Sequence, residues 1–123
     1  MRSYKRTDRI ASLVKDAVSE LLVFEVMDPR VHDAVVTHVH VTADMSIARI
    51  YVRSLVSDEQ GKAELMAGLD ASRGFIRSRL VQRVRLMRAP SLEFFYDEQE
   101  DEAARVDAIL DRLSREKPGG SGA

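Results

Sequence analysis

The chain has 123 residues, 45% hydrophobic and 32% charged, with 19 lysines and arginines set against 20 aspartates and glutamates for a net charge of -1. This composition excludes a chain disordered throughout, and the length holds one core but not two. With no cysteine, disulfides, thiolate nucleophiles and cysteine-ligated zinc are excluded as well, which suits a reducing compartment and makes the cytoplasm the expected location.

The start, "MRSYKRTDR", lacks the apolar stretch of a signal segment, and no run of about 18 apolar residues could cross a bilayer. No membrane association is expected. Charge is sorted along the chain: Arg2, Lys5, Arg6 and Arg9 crowd the start, residues 71–90 hold six arginines and no acid, and residues 93–111 hold eight acids against Arg105. Such segregation predicts a molecule with a positive and a negative side.

From Thr7 to about Val26, apolar residues recur at spacings of three and four (Ile10, Leu13, Val14, Ala17, Val18, Leu21, Leu22), which predicts a helix ending before Pro29. "DAVVTHVHVTA" then alternates as a strand, with Val35, Val39 and Val41 on one face and Val36, His38 and His40 on the other. "SIARIYVRSL" alternates again, sending Ala48, Ile50 and Val52 inward and Arg49, Tyr51 and Arg53 away, so the two strands should form a hairpin.

Asp58 can cap the next helix, which Ala63, Leu65, Met66 and Leu69 carry to about Ala71. A new register of Ile76, Leu80, Val84 and Met87 follows, predicting two helical pieces that meet at a bend over Ser72, Arg73 and Gly74. Pro90 closes this unit, "LEFFYDE" is a third strand, and Ala103, Val106, Ile109, Leu110 and Leu113 mark a last amphipathic helix. The expected architecture is one α+β domain over residues 1–115, α-β-β-α-bend-α-β-α, with the helices on one face of a three-stranded sheet and the other face open. Residues 116–123 read as a disordered tail.

The arginines border the second apolar stripe, Arg77 on one side, Arg79 and Arg83 on the other. Their stems can cover apolar surface while the planar guanidinium groups meet phosphate. No acid stands at i,i+4 to pair with them, so an external polyanion is the favoured partner, the alternative being the acidic segment Glu98 to Glu102. Arg2, Arg6 and Arg9 follow i, i+4, i+7, and the candidate polyanion-binding set is Arg2, Lys5, Arg6, Arg9, Arg73, Arg77, Arg79, Arg83 and Arg85, with Arg88 set apart at the expected helix end. Arg49, Tyr51 and Arg53 form either a base-stacking surface or an ordinary solvated strand face.

Catalytic chemistry finds no support. His38 and His40 have the His-x-His spacing but no evident third ligand, so they read as strand histidines and not a metal site. The acids of "EQEDE" suit a helix start, and "QGKAE" lacks a phosphate-cradling glycine loop. No enzyme activity, cofactor or metal is expected.

Three stretches, "RIASLVKDAVSELLVFEVMDPRV", "VTADMSIARIYV" and "ASRGFIRSRLVQRVRLMRAPSLEFFYDEQEDEAARVDAILDRL", resemble bacterial ribosome-binding factor A from about Arg9 to Leu113. The "GFIRSRL" and "FFYD" blocks and the "DPR" break carry most of the likeness. The resemblance implies a type II KH-like fold whose phosphate loop is replaced by an Ala-x-Gly helix kink. The matching positions are Ser72, Arg73 and Gly74, with serine where the family has alanine. It also implies a monomeric, non-catalytic, cytoplasmic assembly factor of the small (30S) ribosomal subunit. Such a factor binds immature subunits near the decoding region, contacts 16S rRNA, favours processing of its 5' end, supports growth in the cold, and is linked to an assembly GTPase and initiation factors. The alternative is an adaptor whose acidic final helix engages a basic ribosomal protein.

Overall fold

A computed structural model of the chain describes residues 2–55, 58–98 and 102–116. The expected tail at 116–123 lies outside them apart from Glu116, the last residue of the final helix. The elements are α1 (Arg2–Phe24), a 3₁₀ turn (Pro29–Val31), β1 (Ala34–Val41), β2 (Ile47–Ser54), α2 (Glu59–Val84), β3 (Ser91–Tyr96) and α3 (Glu102–Glu116).

The stripe expected in α1 is its buried face: Val14, Val18, Leu21 and Leu22 are almost wholly enclosed. The helix ends at Phe24, where the amides of Glu25 and Val26 both donate to the Leu21 carbonyl at 2.9 and 2.8 Å. Asp28 then caps the 3₁₀ turn by accepting from the Arg30 amide at 3.0 Å, with Pro29 in the first position, where its missing donor costs nothing. The turn packs against α2 at Gly68. A Cβ there would lie 2.9 Å from Val31 Cγ1 and 3.0 Å from Arg30 Cβ, so the close approach requires glycine.

β1 and β2 form the expected antiparallel hairpin, but the register slips between Val36, opposite Val52, and His38, opposite Tyr51. This bulge inserts one residue and reverses the alternation upstream of it. Val36 therefore joins Val39 and Val41 in the core while Val35 is 42% exposed, the opposite of the alternation expected for these two residues. β3 pairs in parallel with β2, placing β2 at the centre of the order β1-β2-β3. The intervening α2 makes that parallel return possible.

Asp58 caps α2 as expected, accepting from the Gly61 amide at 2.6 Å. The two helical pieces expected around Ser72, Arg73 and Gly74 are instead one continuous helix of 26 residues. Glycine keeps its amide donor, and its helix cost of about 1 kcal/mol is too small to break a helix held by packing on both sides. The expected change of register is absent too: Leu65, Leu69, Ile76 and Leu80 are buried at spacings of four, seven and four, one stripe along the same helix.

α1 and α2 cover one face of the sheet, packing on Ala48, Ile50 and Val52 of β2 and Leu92 of β3. Each fully buried leucine or isoleucine of this layer contributes about 1.5–3 kcal/mol. α3 lies on the opposite face, because its Asp107 and Asp111 reach Tyr51 and Arg49, which alternate with Ile50 along β2. The expectation of helices on one face and an open second face is corrected accordingly. The reason is that α3 docks through its aspartates and leaves Ile109 and Leu113 of its apolar stripe 42% and 44% exposed. Among the described residues no helix is long and apolar enough to cross a membrane.

Candidate nucleic-acid interface

The first turns of α1, the β1–β2 turn and the segment leaving α2 enclose a cleft of about 520 Å³. Ile10 and Leu13 of α1, Met45 of the turn, and Leu86 and Met87 beyond α2 supply apolar walls, and Arg6, Arg85 and Arg88 stand among them. Met87 is fully exposed and Leu13 half exposed. Packing alone does not explain such apolar side chains beside three cations.

Backbone geometry sets two of these residues in place. Arg85 terminates α2 in the left-handed conformation, φ 59° and ψ 50°, its amide donating to the Val81 carbonyl at 3.1 Å. That position is ordinarily taken by glycine. Met45 holds φ 61° in the hairpin turn, its amide donating to the Thr42 carbonyl at 2.8 Å. The neighbouring Asp44 locks the turn, since its Oδ1 accepts from Ser46 Oγ at 2.8 Å, the Ser46 amide at 3.0 Å and Thr42 Oγ1 at 2.9 Å. The bonds from Ser46, followed by that from Thr42, hold the Asp44 carboxyl below the usual carboxylate range. Among the described residues, Met45 and Arg85 are the non-glycine residues with positive φ, and both line this cleft. Each conformation costs on the order of 1 kcal/mol or more, a strain that concentrates at functional sites.

Arg6 and Arg85, from two separate basic clusters of the sequence, thus meet in one place. Arg88, set apart in the sequence reading because the helix was expected to end near it, joins them from beyond the helix end. No ion pair to a described residue engages Arg6, Arg85 or Arg88. Arg9 is exposed one turn along α1 from Arg6. The side chains of Arg2 and Lys5 lie outside the described residues. In the sequence Met45 stands between Asp44 and Ser46, and Met87 was read as the last residue of a helical apolar stripe; nothing local indicated that both would line one cleft.

The other arginines of α2 are not brought to the cleft floor. Arg73 pairs with Asp70 at 2.7 Å and lies 5.8 Å from the Phe94 ring. Arg77 donates to the carbonyls of Pro90 at 2.9 Å and Ala89 at 3.1 Å, bracing the segment that forms the cleft wall. Arg83 pairs with Glu25 and with Glu20, the latter at 2.6 Å, and both carboxylates, Glu25 first, raise its pKa. Arg79 lies 3.9 Å from Glu25 and 5.0 Å from the Phe75 ring. The premise that these arginines lack acidic partners is therefore corrected: the carboxylates that meet Arg79 and Arg83 are Glu20 in α1 and Glu25 just beyond its end, too far along the chain for helix spacing to reveal. Of the acidic segment Glu98 to Glu102 considered as the alternative partner, Glu98 pairs with Lys62 and not with an arginine, while residues 99–101 and the side chain of Glu102 lie outside the described residues.

On the outer face of the sheet, Asp107 accepts from Tyr51 Oη at 2.6 Å and bonds His38 Nε2 at 2.9 Å, while Asp111 accepts from Arg49 at 2.9 Å and bonds His40 Nε2 at 2.8 Å. Burial would lower the Arg49 pKa, but the bond to Asp111 and the charges of Asp111, Asp107 and Glu93 together raise it. Burial, then the bond to Asp107, pushes the Tyr51 hydroxyl well above the ordinary phenol range, so Tyr51 stays a donor. Arg49 and Tyr51 are buried, 5% and 2% exposed, and only Arg53 of that expected stacking surface faces solvent. The side chains of His38 and His40, 39% and 30% exposed, are bonded to aspartates of α3. Two of the acids that the adaptor alternative would present outward are turned into the protein.

Fold and cleft together define a small α+β binding module whose cations converge from distant segments. The Ribosome-binding factor A family model matches residues 6–110, and the chain belongs to that family. It is 39% identical over 120 residues to ribosome-binding factor A of Microcystis aeruginosa, covering 96% of this chain and 93% of that protein. The Methylobacillus flagellatus protein of the same name is also 39% identical, over 112 residues, covering 90% of this chain and 86% of the relative. The crystal structure of ribosome-binding factor A from Thermus thermophilus superposes with a TM-score of 0.64 at 27% identity, covering 73% of this chain and 93% of that one. A Thermotoga maritima solution structure, at TM-score 0.56 and 24% identity, shares the fold.

Proposed function

We propose that this chain binds the ribosome as a non-catalytic assembly factor of the immature small (30S) subunit, gripping 16S rRNA near the decoding region and assisting late maturation, including processing of the 5' end of that RNA. The observation that carries the reading is the cleft where Arg6, Arg85 and Arg88 surround apolar side chains and two strained backbone positions. Arginine holds phosphate, the apolar walls accept the face of an unpaired base, and the strain is repaid by holding both in one geometry. Family membership supports the ribosome as the partner.

Such a factor works by affinity alone. Binding one conformation of a folding RNA better than another shifts the equilibrium toward it. Residues 1–115 act as the rRNA-binding domain, in the cytoplasm and as a monomer, with release linked to an assembly GTPase and initiation factors. The kink assigned to Ser72, Arg73 and Gly74 becomes a site of bending within a continuous helix; nothing lies within 4 Å of where a Cβ of Gly74 would stand, so the position has room to move. Arg9 extends the positive surface along α1, the helix to which the sequence also assigns Arg2 and Lys5. Arg77 adds positive potential from the outer surface of α2 while bracing the fold, whereas Arg73, Arg79 and Arg83 are drawn onto Asp70, Glu20 and Glu25.

The test is co-sedimentation of Arg6→Glu/Arg85→Glu protein with immature small subunits at low and moderate salt. Wild-type affinity should fall with salt by a log–log slope on the order of -0.7 per phosphate neutralised on single strands, and the double variant should bind weakly with a shallower slope. Normal co-sedimentation of a folded double variant would sink the assignment.

A further inference from the structure

We infer that the outer face of the sheet is a second binding surface, for single-stranded RNA, and that α3 occupies it in the isolated chain. This rests on RNA being the partner class, but not on the cleft, which lies elsewhere on the molecule.

The groups beneath α3 are those of a strand-binding sheet face. Tyr51 stacks on Phe95 with ring centroids 5.2 Å apart and 23° between planes, and Arg49, His38 and His40 surround the pair with donors. Arg53 continues the same face into solvent. Aromatic rings bordered by cations bind unpaired bases and their phosphates on other sheets.

What α3 offers them is a line of carboxylates. Asp107 and Asp111, one helical turn apart, each engage two groups of the sheet, much as successive phosphates would. The apolar contribution is partial, because Val106 and Leu110 are only part-buried and Ile109 and Leu113 are 42% and 44% exposed. A helix held mainly by charge and hydrogen bonds yields to a stronger polyanion competing for the same donors.

Arg49 supplies an independent sign that α3 is an imperfect occupant. Its Nε is buried without a hydrogen bond, with Glu93 3.6 Å away, while Nη1 donates to Asp111 at 2.9 Å. Buried donors are rarely left so. A phosphate in place of the aspartates could meet the whole planar fork.

Hydrogen exchange on the wild-type chain, with and without a single-stranded oligouridylate about 12 nucleotides long, tests the displacement directly. Saturating RNA should speed exchange of amides 106–114; unchanged or greater protection overturns the proposal. Full-length Asp107→Asn/Asp111→Asn should bind the same RNA about fivefold tighter or more, the worth of one stacked base. Adding Arg53→Glu should remove that gain, whereas adding Arg85→Glu should leave it. A folded double variant with no gain, or a gain abolished by Arg85→Glu, assigns the RNA to the cleft alone and refutes the second surface. Should the double variant fail to fold, the wild-type exchange result decides.

Discussion

Tyr51 Oη donates a 2.6 Å hydrogen bond to Asp107 Oδ1, joining the central strand to the last helix across 56 positions of the chain. Both groups are buried, so the bond can be removed only by leaving an acceptor unsatisfied. Tyr51→Phe should cost about 1–3 kcal/mol in urea unfolding, and exchange of the α3 amides should rise more than that of α1. Equal changes in both helices would show that the bond does not act on α3 in particular.

Gly68 and Gly74, both in α2, should respond oppositely to alanine. At 68 the added Cβ strikes Val31 and Arg30, and overpacking of this kind costs about 1–3 kcal/mol. At 74 it meets nothing within 4 Å, and helix propensity gives about 0.5–1 kcal/mol of stabilisation. Melting temperatures should move down for Gly68→Ala and up for Gly74→Ala. If bending at 74 matters to the ribosome, the second variant will also bind subunits less well despite its greater stability.

Arg85→Gly should separate stability from binding. Glycine adopts the left-handed cap without strain, so the variant should unfold at the same or higher temperature, by up to about 1 kcal/mol. Its affinity for immature subunits should drop with the lost cation. Arg83→Glu should behave otherwise: it places a third carboxylate against Glu20 and Glu25, and the melting temperature should fall before any effect on binding is considered. Charge reversal there is not a neutral probe of RNA contact.

Asp28 gives a pH dependence with a defined sign. Side-chain and backbone hydrogen bonds from Arg30 hold its carboxyl down to about 2. A depressed carboxylate pKa contributes stability that is complete above the unfolded value near 3.9 and is lost as pH falls toward and through about 2. Following the Asp28 carboxyl by NMR should give a midpoint near 2, and Asp28→Asn should flatten the acid limb of the stability curve. A midpoint close to 4 would mean that the turn is open in solution.

Much of the fold was legible because its signals are local. Ile10 to Leu22 repeat at helical spacing, Ala48, Ile50 and Val52 alternate, and Asp58 stands where a cap belongs; each pattern involves neighbours within a few residues. Val35 and Val36 were misread because the bulge at Thr37 is set by pairing with β2, which alternation in one strand does not contain. The arginines of α2 were legible as a cluster but not as individuals. Arg83 meets Glu20 across 63 positions, while Arg85, two residues later, turns into the cleft because the helix ends in a left-handed residue. Gly68 went unremarked for a similar reason: its neighbour is the turn at Pro29–Val31, not anything in its own helix.

By itself the sequence determined the elements apart from the division of α2, their order, the apolar stripe of α1 and the family, since periodicity, caps and motif order are properties of short chain segments. Tertiary structure alone decided where charge is free and where it is neutralised. Coulomb and hydrogen-bond partners depend on distance in space, so only folding could pair Arg83 with α1, bury Arg49 and Tyr51 under α3, and leave Arg6, Arg85 and Arg88 together at the cleft.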